Sequence, residues 1–449
     1  MDPQEKELSE KRKRNMQLTI IHKALTYDLL FFYGIKFLFL VQVKEISACD
    51  IVLATAFYGI FKAIAQIPGI FIIDKIGTRK SLILADLINA VSIIIFMFAT
   101  NLWWLIITNL FSGIGFAIRD VAESGMLHKS IPESENKSKT YSKVDGKGLG
   151  NYFYVSAISA VVSGFLFNIN PYIPLVICVV ILLLSAVIAT KFQEIESVEK
   201  QEDTNMSIHK RYKIYFKDLR LAFSFIFTSR RLKSLMLYAG VMYGIIAVMN
   251  TYEMGLLEEI SISASTTGII YAIMQVIAGI SSKLQNRFHE KFKKRVLTVI
   301  GISYTAACLI AGLISVTALP YIIVVGVILV SYVVRYLDTG FFYVLMKKYV
   351  TNFTNAEVAN KVYSAYSLVA GIGTTIICAL GSAIVSYNNS IKYSMIIFGV
   401  AFLAVMLLIL LYMKDRVGLE PQEYKKKDIN YKEYVSSVSY THLRAHETP

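Results

Sequence analysis

The sequence predicts an all-α polytopic membrane protein, with twelve transmembrane helices in two six-helix pseudo-repeats. Three observations predict it. Of 449 residues, 55% are hydrophobic and only 17% charged. The apolar residues gather into runs of about 20, the length that crosses a bilayer core at a helical rise of about 1.5 Å per residue. The Lys and Arg residues, whose excess gives a net charge of +14, fall in alternate connections between those runs, as cytoplasmic loops do. Only helices and closed barrels satisfy the backbone in lipid. A barrel would show short alternating strands instead of continuous runs.

A polar segment, 1–17, carries Lys11-Arg12-Lys13-Arg14 and leads into a full-length apolar run, not the short core of a cleavable signal. The predicted spans cover 18–43, 51–73, 81–99, 103–126, 149–169, 172–190, 234–252, 264–284, 296–317, 320–345, 362–386 and 391–413. A polar stretch, 191–233, separates a first half, 18–190, from a second, 234–413. Within it, His209–Lys217 mixes basic and aromatic residues, the pattern of an amphipathic helix on anionic lipid. A cytoplasmic tail, 414–437, follows the last span. Residues 438–449 shift abruptly in composition and read as translated adapter sequence, so nothing is built on His442 or His446. Predicted outward loops (44–50, 100–102, 168–171, 252–263, 318–320 and 387–390) hold almost no Lys or Arg beyond Lys44. That asymmetry places both termini in the cytoplasm of a multi-pass cell-membrane protein. It also accounts for the basic charge without a nucleic-acid partner.

The most informative stretch is Asp74-Lys75-Ile76-Gly77-Thr78-Arg79-Lys80, a charged turn between spans two and three. A turn this short forces an antiparallel hairpin, and Gly77 permits the reversal. The pattern D-K-x-G-x-R-K resembles the loop between helices 2 and 3 of the major facilitator superfamily of secondary transporters. One departure is Ile70, where the family has Gly; Gly69 sits one place early. The halves also look duplicated, with Glu135–Ser142 after span four matching Glu357–Ser364 after span ten. The segment Gly113-Ile114-Gly115-Phe116-Ala117, followed by Ala122-Glu123, resembles span four of uncharacterised and multidrug-type Gram-positive facilitators.

Ionisable residues inside spans are costly and mark function by default. Asp28 and Lys36 are candidates for proton or substrate binding. On one continuous helix they would sit ~80° apart and about two turns along the axis. Arg119 and Glu123, at i,i+4, are placed to pair on one face of span four, with Asp120 about 100° away. The resemblance implies that Asp120 or Glu123 pairs with Arg79 or Lys75 in an inner-gate latch beside Asp74, Gly77 and Lys80; a static ion pair is the alternative. Arg335 and Asp338, at i,i+3 in span ten, mirror span four, are expected to pair, and are further candidates for proton or substrate binding. Asp86, near the inner surface, reads as a wetted interface residue.

In span five, Ser156, Ala160 and Gly164 recur every four residues, a smooth stripe for another helix. Drug/proton antiporters of the superfamily carry a Gly-Pro-rich motif there; this chain has Gly164 but no Pro. Phe31, Phe32, Tyr33, Phe37, Tyr152, Phe153 and Tyr154 are candidates to line an apolar cavity, although lipid-facing aromatics account for such residues equally well. Cys49, Cys178, Cys308 and Cys378 have no metal spacing, and no cofactor or metal is expected. Motifs of zinc proteases, serine hydrolases and P-loop ATPases are missing, so no enzyme is expected.

The sequence therefore points to a monomeric secondary active transporter of a small-molecule substrate, coupled to protons and working in a lipid bilayer. Efflux of amphipathic compounds is the first reading, and uptake of a nutrient, sugar or peptide the second. A membrane receptor or lipid-handling protein on the same scaffold is the rival from another class.

Overall fold

The computed structural model describes residues 3–132, 137–195, 208–228, 230–352 and 356–413. The expected tail, 414–437, the adapter-like 438–449 and most of the polar stretch before 208 lie outside them, as do Glu135 and Asn136 of the duplicated motif. The described chain is helical: α1 (Pro3–Thr26), α2 (Lys36–Leu38), α3 (Ala48–Ile76), α4 (Thr78–Met97), α5 (Leu102–Ser130), α6 (Lys137–Ile169), α7 (Ile173–Ala189), α8 (Ile208–Thr228), α9 (Arg230–Glu259), α10 (Ala264–Phe292), α11 (Val296–Ser315), α12 (Tyr321–Asn352), α13 (Ala356–Asn388) and α14 (Ile391–Met413).

Among the described residues, nine stretches are long and apolar enough to cross a membrane, and one of them, Ala264–Ser315, runs through both α10 and α11. The shorter apolar α7 spans 17 residues, still close to the lower bound of about 17 for a crossing. With the interrupted first span, these helices account for the twelve expected. The chain is a multi-pass, all-helical membrane protein.

Two compact units emerge, one formed by Met1–Ile208 with Asn250–Val276, the other by His209–Met249 with Ile277–Pro449. In the first, α3 and α4 both pack against α5, α4 against α7, and α1 against α5, α6 and α7. In the second, α11 packs against α12 and α14, and α13 against α12 and α14. Helix α8 exposes Lys213, Lys217 and Arg220 together with Ile214, Phe216, Leu221 and Phe227, and buries Ala222 and Ile226. The expected outward loop at 252–263 is shorter than read, because α9 continues to Glu259 and buries Tyr252 and Glu253.

The first span departs most from expectation. It is not one helix. α1 ends at Thr26, the chain leaves helical geometry from 27 to 35, and α2 passes directly into a π-helical turn, Phe39–Val43. Phe31 adopts φ 62°, a left-handed conformation that costs a non-glycine residue about 1–2 kcal/mol. The core holds it there: Phe32, Ile35, Phe37, Leu38, Phe39 and Leu40 are buried, with Phe32 and Phe39 flanking Phe96 at ring distances of 4.8 and 5.5 Å. Irregular backbone at membrane depth is tolerated where protein or a wet cavity surrounds it. The break also removes the helical relation expected between Asp28 and Lys36.

The small-residue stripe of α6 is matched on α10. A Cβ at Gly164 would meet the Ala264 carbonyl oxygen at 2.6 Å, and one at Gly268 would meet the Ala160 carbonyl at 2.5 Å. Backbones touch along this seam, as small residues permit.

Candidate functional site: a buried ionic cluster in the first unit

Five elements of the first unit send ionisable side chains toward one another. From the end of α1 come His22 and Lys23. His22, fully buried, places Nε2 2.9 Å from Asp86 Oδ2 on α4 and Nδ1 3.5 Å from Glu123 Oε2 on α5. Thr26, one turn on, sets its hydroxyl 3.2 Å from Nδ1. Lys23 Nζ lies 3.2 Å from Glu123 Oε1 and bonds Asp145 of α6. The Phe192 ring meets the imidazole edge-on at 5.9 Å. Adjacent positions on α1 thus reach three neighbouring helices, because α1 packs against α5 and α6 at this level.

A second group lies beside it. Asp120 accepts from Arg119 at 2.5 Å and pairs with Lys62 of α3 at 2.9 Å. The Arg119 guanidinium sits 4.4 Å over the Phe116 ring and 5.9 Å from that of Tyr27, a favourable cation–π arrangement. Asp28, in the break after α1, is partly buried. Its Oδ1 accepts from the Leu29 N–H at 2.9 Å, and the Tyr33 hydroxyl donates to the same carboxylate. Burying a charge without partners is expensive; here the buried Lys23, Lys62 and Arg119 each meet a carboxylate.

These contacts revise several expectations. Arg119 pairs with its neighbour Asp120 instead of Glu123, which faces Lys23 at 3.2 Å and His22 at 3.5 Å. Asp120 and Glu123 find their partners on α1, α3 and α5, not at Arg79 or Lys75. Asp86 is buried against His22, not wetted. The charged turn is far tighter than seven residues: α3 runs through Asp74, Lys75 and Ile76, only Gly77 is non-helical, and Thr78, Arg79 and Lys80 open α4. Its carboxylate partner comes from beyond α7, where Glu194 Oε1 accepts from the Arg79 backbone N–H at 2.7 Å. Lys36, at the start of α2, extends over the Phe32 ring at 5.9 Å. In the second unit, Arg335 and Asp338 diverge. Arg335 is fully buried with its guanidinium 4.5 Å over Tyr332, and Asp338 accepts from Ser303 at 2.6 Å. An i,i+3 spacing allowed their pairing, but α11 offered Asp338 a nearer donor.

Sequence reasoning missed His22, Lys23, Lys62, Asp145 and Glu194. His22 and Lys23 did carry a signal, two ionisable residues inside a predicted span. Lys62 did too, as a lysine in the middle of span two. Asp145 and Glu194 lay in loops where charge is unremarkable.

The sequence matches the Major Facilitator Superfamily over residues 27–337. The chain belongs to the major facilitator superfamily. Among solved structures, this transporter resembles nucleoside transporter NupG, with 12% identity and a TM-score of 0.65 over 90% of this chain and 99% of that one. It is similar to a D-xylose-proton symporter at 13% identity and TM-score 0.64, over 92% and 98% of the two chains. A POT family transporter in complex with 5-aminolevulinic acid shares 13% identity and a TM-score of 0.61, over 90% of this facilitator and 94% of that chain. No curated protein matches the sequence significantly.

Proposed function

We propose that this facilitator is a proton-coupled secondary transporter, working by alternating access and exporting small amphipathic compounds across the cell membrane as a monomer. The observation that carries the reading is Asp28. It is a carboxylate in an interrupted span, open enough to exchange a proton, with Tyr33 as hydrogen-bond partner and the charges of Lys62 and Arg119 within influence. Protonation there changes the charge beside the Lys62–Asp120–Arg119 group, and a cationic substrate is favoured or rejected accordingly. Tyr33 and Tyr58 lie within its electrostatic reach, and their rings pack on Phe32 and Phe116 to supply an apolar surface. The termini face the cytoplasm in this reading, and the Gly77 turn with Asp74, Lys75, Arg79 and Lys80 belongs to the inner gate.

Import is the second reading, favoured by one observation: Arg119 and Lys62 are fixed cations suited to a polar or anionic solute. The similar structures are those of nucleoside, D-xylose–proton and POT family transporters. Proteoliposomes with an imposed pH gradient and a panel of hydrophobic cations, nucleosides, sugars and peptides test both. Asp28→Asn abolishes gradient-driven flux and keeps exchange without a gradient. A variant that still concentrates substrate removes Asp28 as the proton site, and the direction of accumulation decides between export and import.

A further inference from the structure

His22 stands apart from the Asp28 group and plays no part in the mechanism above. Its surroundings define its charge. Asp86 on α4 and Glu123 on α5 contribute two carboxylates against one fixed cation, Lys23, and Asp145 of α6 adds a further, partly exposed carboxylate through Lys23. Arg119 of α5, bonded to Asp120, also lies within electrostatic reach of Glu123. Tyr141 of α6 bonds Ser124 nearby, and the segment after α7 presents the Phe192 ring. In a desolvated site, this balance is short of positive charge unless the imidazole carries it.

The hydrogen bonds agree. Thr26 donates its hydroxyl hydrogen to the His22 carbonyl at 2.9 Å, so that hydroxyl receives, instead of supplying, the hydrogen between it and Nδ1. Nε2 faces a carboxylate at 2.9 Å and has to donate. Both ring nitrogens are therefore donors, the pattern of an imidazolium. Glu123 Oε2, the oxygen facing Nδ1, has no hydrogen-bond partner of its own, and neither has the buried Asp86 Oδ1.

We propose that the His22–Asp86–Glu123 triad is a second proton site, separate from Asp28, whose occupancy sets how tightly α1 is held to α4 and α5. With the proton present, Nε2–H donates to Asp86 and Nδ1–H points at Thr26 and Glu123, tying three helices by charge. When Nδ1 loses its proton to water, its lone pair turns toward Glu123 Oε2. Thr26 then rotates its hydroxyl from the His22 carbonyl to Nδ1. The neutral imidazole keeps a hydrogen bond to Asp86 but no ionic tie, and Lys23 still binds α1 to Glu123 by charge. This rests on the reading of the transporter as proton-coupled, and the test separates the two.

Full-length protein labelled with 15N-histidine is placed in phosphatidylcholine nanodiscs, and the His22 resonances are assigned by their loss in His22→Gln. Both nitrogens are expected to be protonated near neutral pH, and Glu123→Gln to lose that proton at a lower pH than the unmodified chain. Amide hydrogen exchange over 18–26 should quicken about ten-fold once the proton leaves. A neutral imidazole near neutral pH, or a titration unmoved by Glu123→Gln, overturns the proposal. If His22→Gln does not fold, Thr26→Ala identifies the resonance through its shift at Nδ1. Absence of gradient-driven flux in the unmodified chain would remove proton coupling while the resonances still decide the triad. Driven flux with a neutral His22 would keep Asp28 and discard the triad.

Discussion

Glu194 caps helix α4 from a distance of 115 positions, its Oε1 accepting the Arg79 backbone N–H at 2.7 Å. The first N–H groups of a helix lack internal partners, and a carboxylate there also meets the positive end of the helix dipole. The turn needs the help, since Gly77 between α3 and α4 has no side chain to cap with. Asn15 reinforces the arrangement, donating to the Gln193 carbonyl at 2.8 Å and accepting from the Gln193 N–H at 3.0 Å. The segment after α7 is thereby fastened to both α1 and α4.

Glu194→Ala should lower stability by about 1 kcal/mol, the usual worth of an N-cap, read as a lower melting temperature in detergent. Gly77 adopts φ 86° and ψ 163°, a region open essentially to glycine alone, so Gly77→Ala and Gly77→Asn should each cost about 1–3 kcal/mol. Equal stability of Gly77→Asn and the unmodified chain would show that the turn relaxes to another geometry.

Asp74 is exposed on the last turn of α3, so Asp74→Asn should leave abundance and melting unchanged while cutting transport sharply. Immunoblotting of membranes beside flux measurement separates the two. Normal flux would reduce the charged turn to a topological hairpin.

Lys23→Met should destabilise the first unit by about 3–5 kcal/mol, because Glu123 is left as a buried charge short of its lysine. Adding Glu123→Gln should recover much of that loss, and a double-mutant cycle on melting temperatures measures the coupling. Simple additivity would mean that the pair is solvated.

Orientation is open to thiol labelling. In a Cys49→Ser background, Ser263→Cys in the short α9–α10 connection should react with an impermeant reagent from outside, and Lys191→Cys only after permeabilisation. The reverse pattern would invert the topology.

Much of this was legible in the sequence. Long apolar runs fixed the spans, and the four-residue recurrence of Ser156, Ala160 and Gly164 announced a close helix contact that Gly268 completes. What stayed hidden was partnership. Depth along a helix suggested a wet Asp86, yet depth says nothing of the imidazole arriving from α1. The Asp120 and Glu123 pairings were misassigned for the same reason: reach from a neighbouring helix depends on packing that one sequence does not state. The break at 27–35 left only a weak composition signal, the lone Gly34. Thr26 to Val43 contains no Pro, and the φ of Phe31 is imposed by the core around Phe96.

The ionic cluster also bears on how the first unit enters a membrane during synthesis. An Arg or Asp at the centre of a lone inserted helix costs up to about 3 kcal/mol, and α5 carries Arg119, Asp120 and Glu123 together. Its counter-charges sit on earlier products of translation, His22 and Lys23 on α1 and Lys62 on α3, and Asp145 on α6 follows soon after. Released singly into lipid, these segments would each face the penalty alone. Kept together at the insertion site until α5 emerges, they cancel one another's charge, so the helices of this half are obliged to leave for the bilayer as a group.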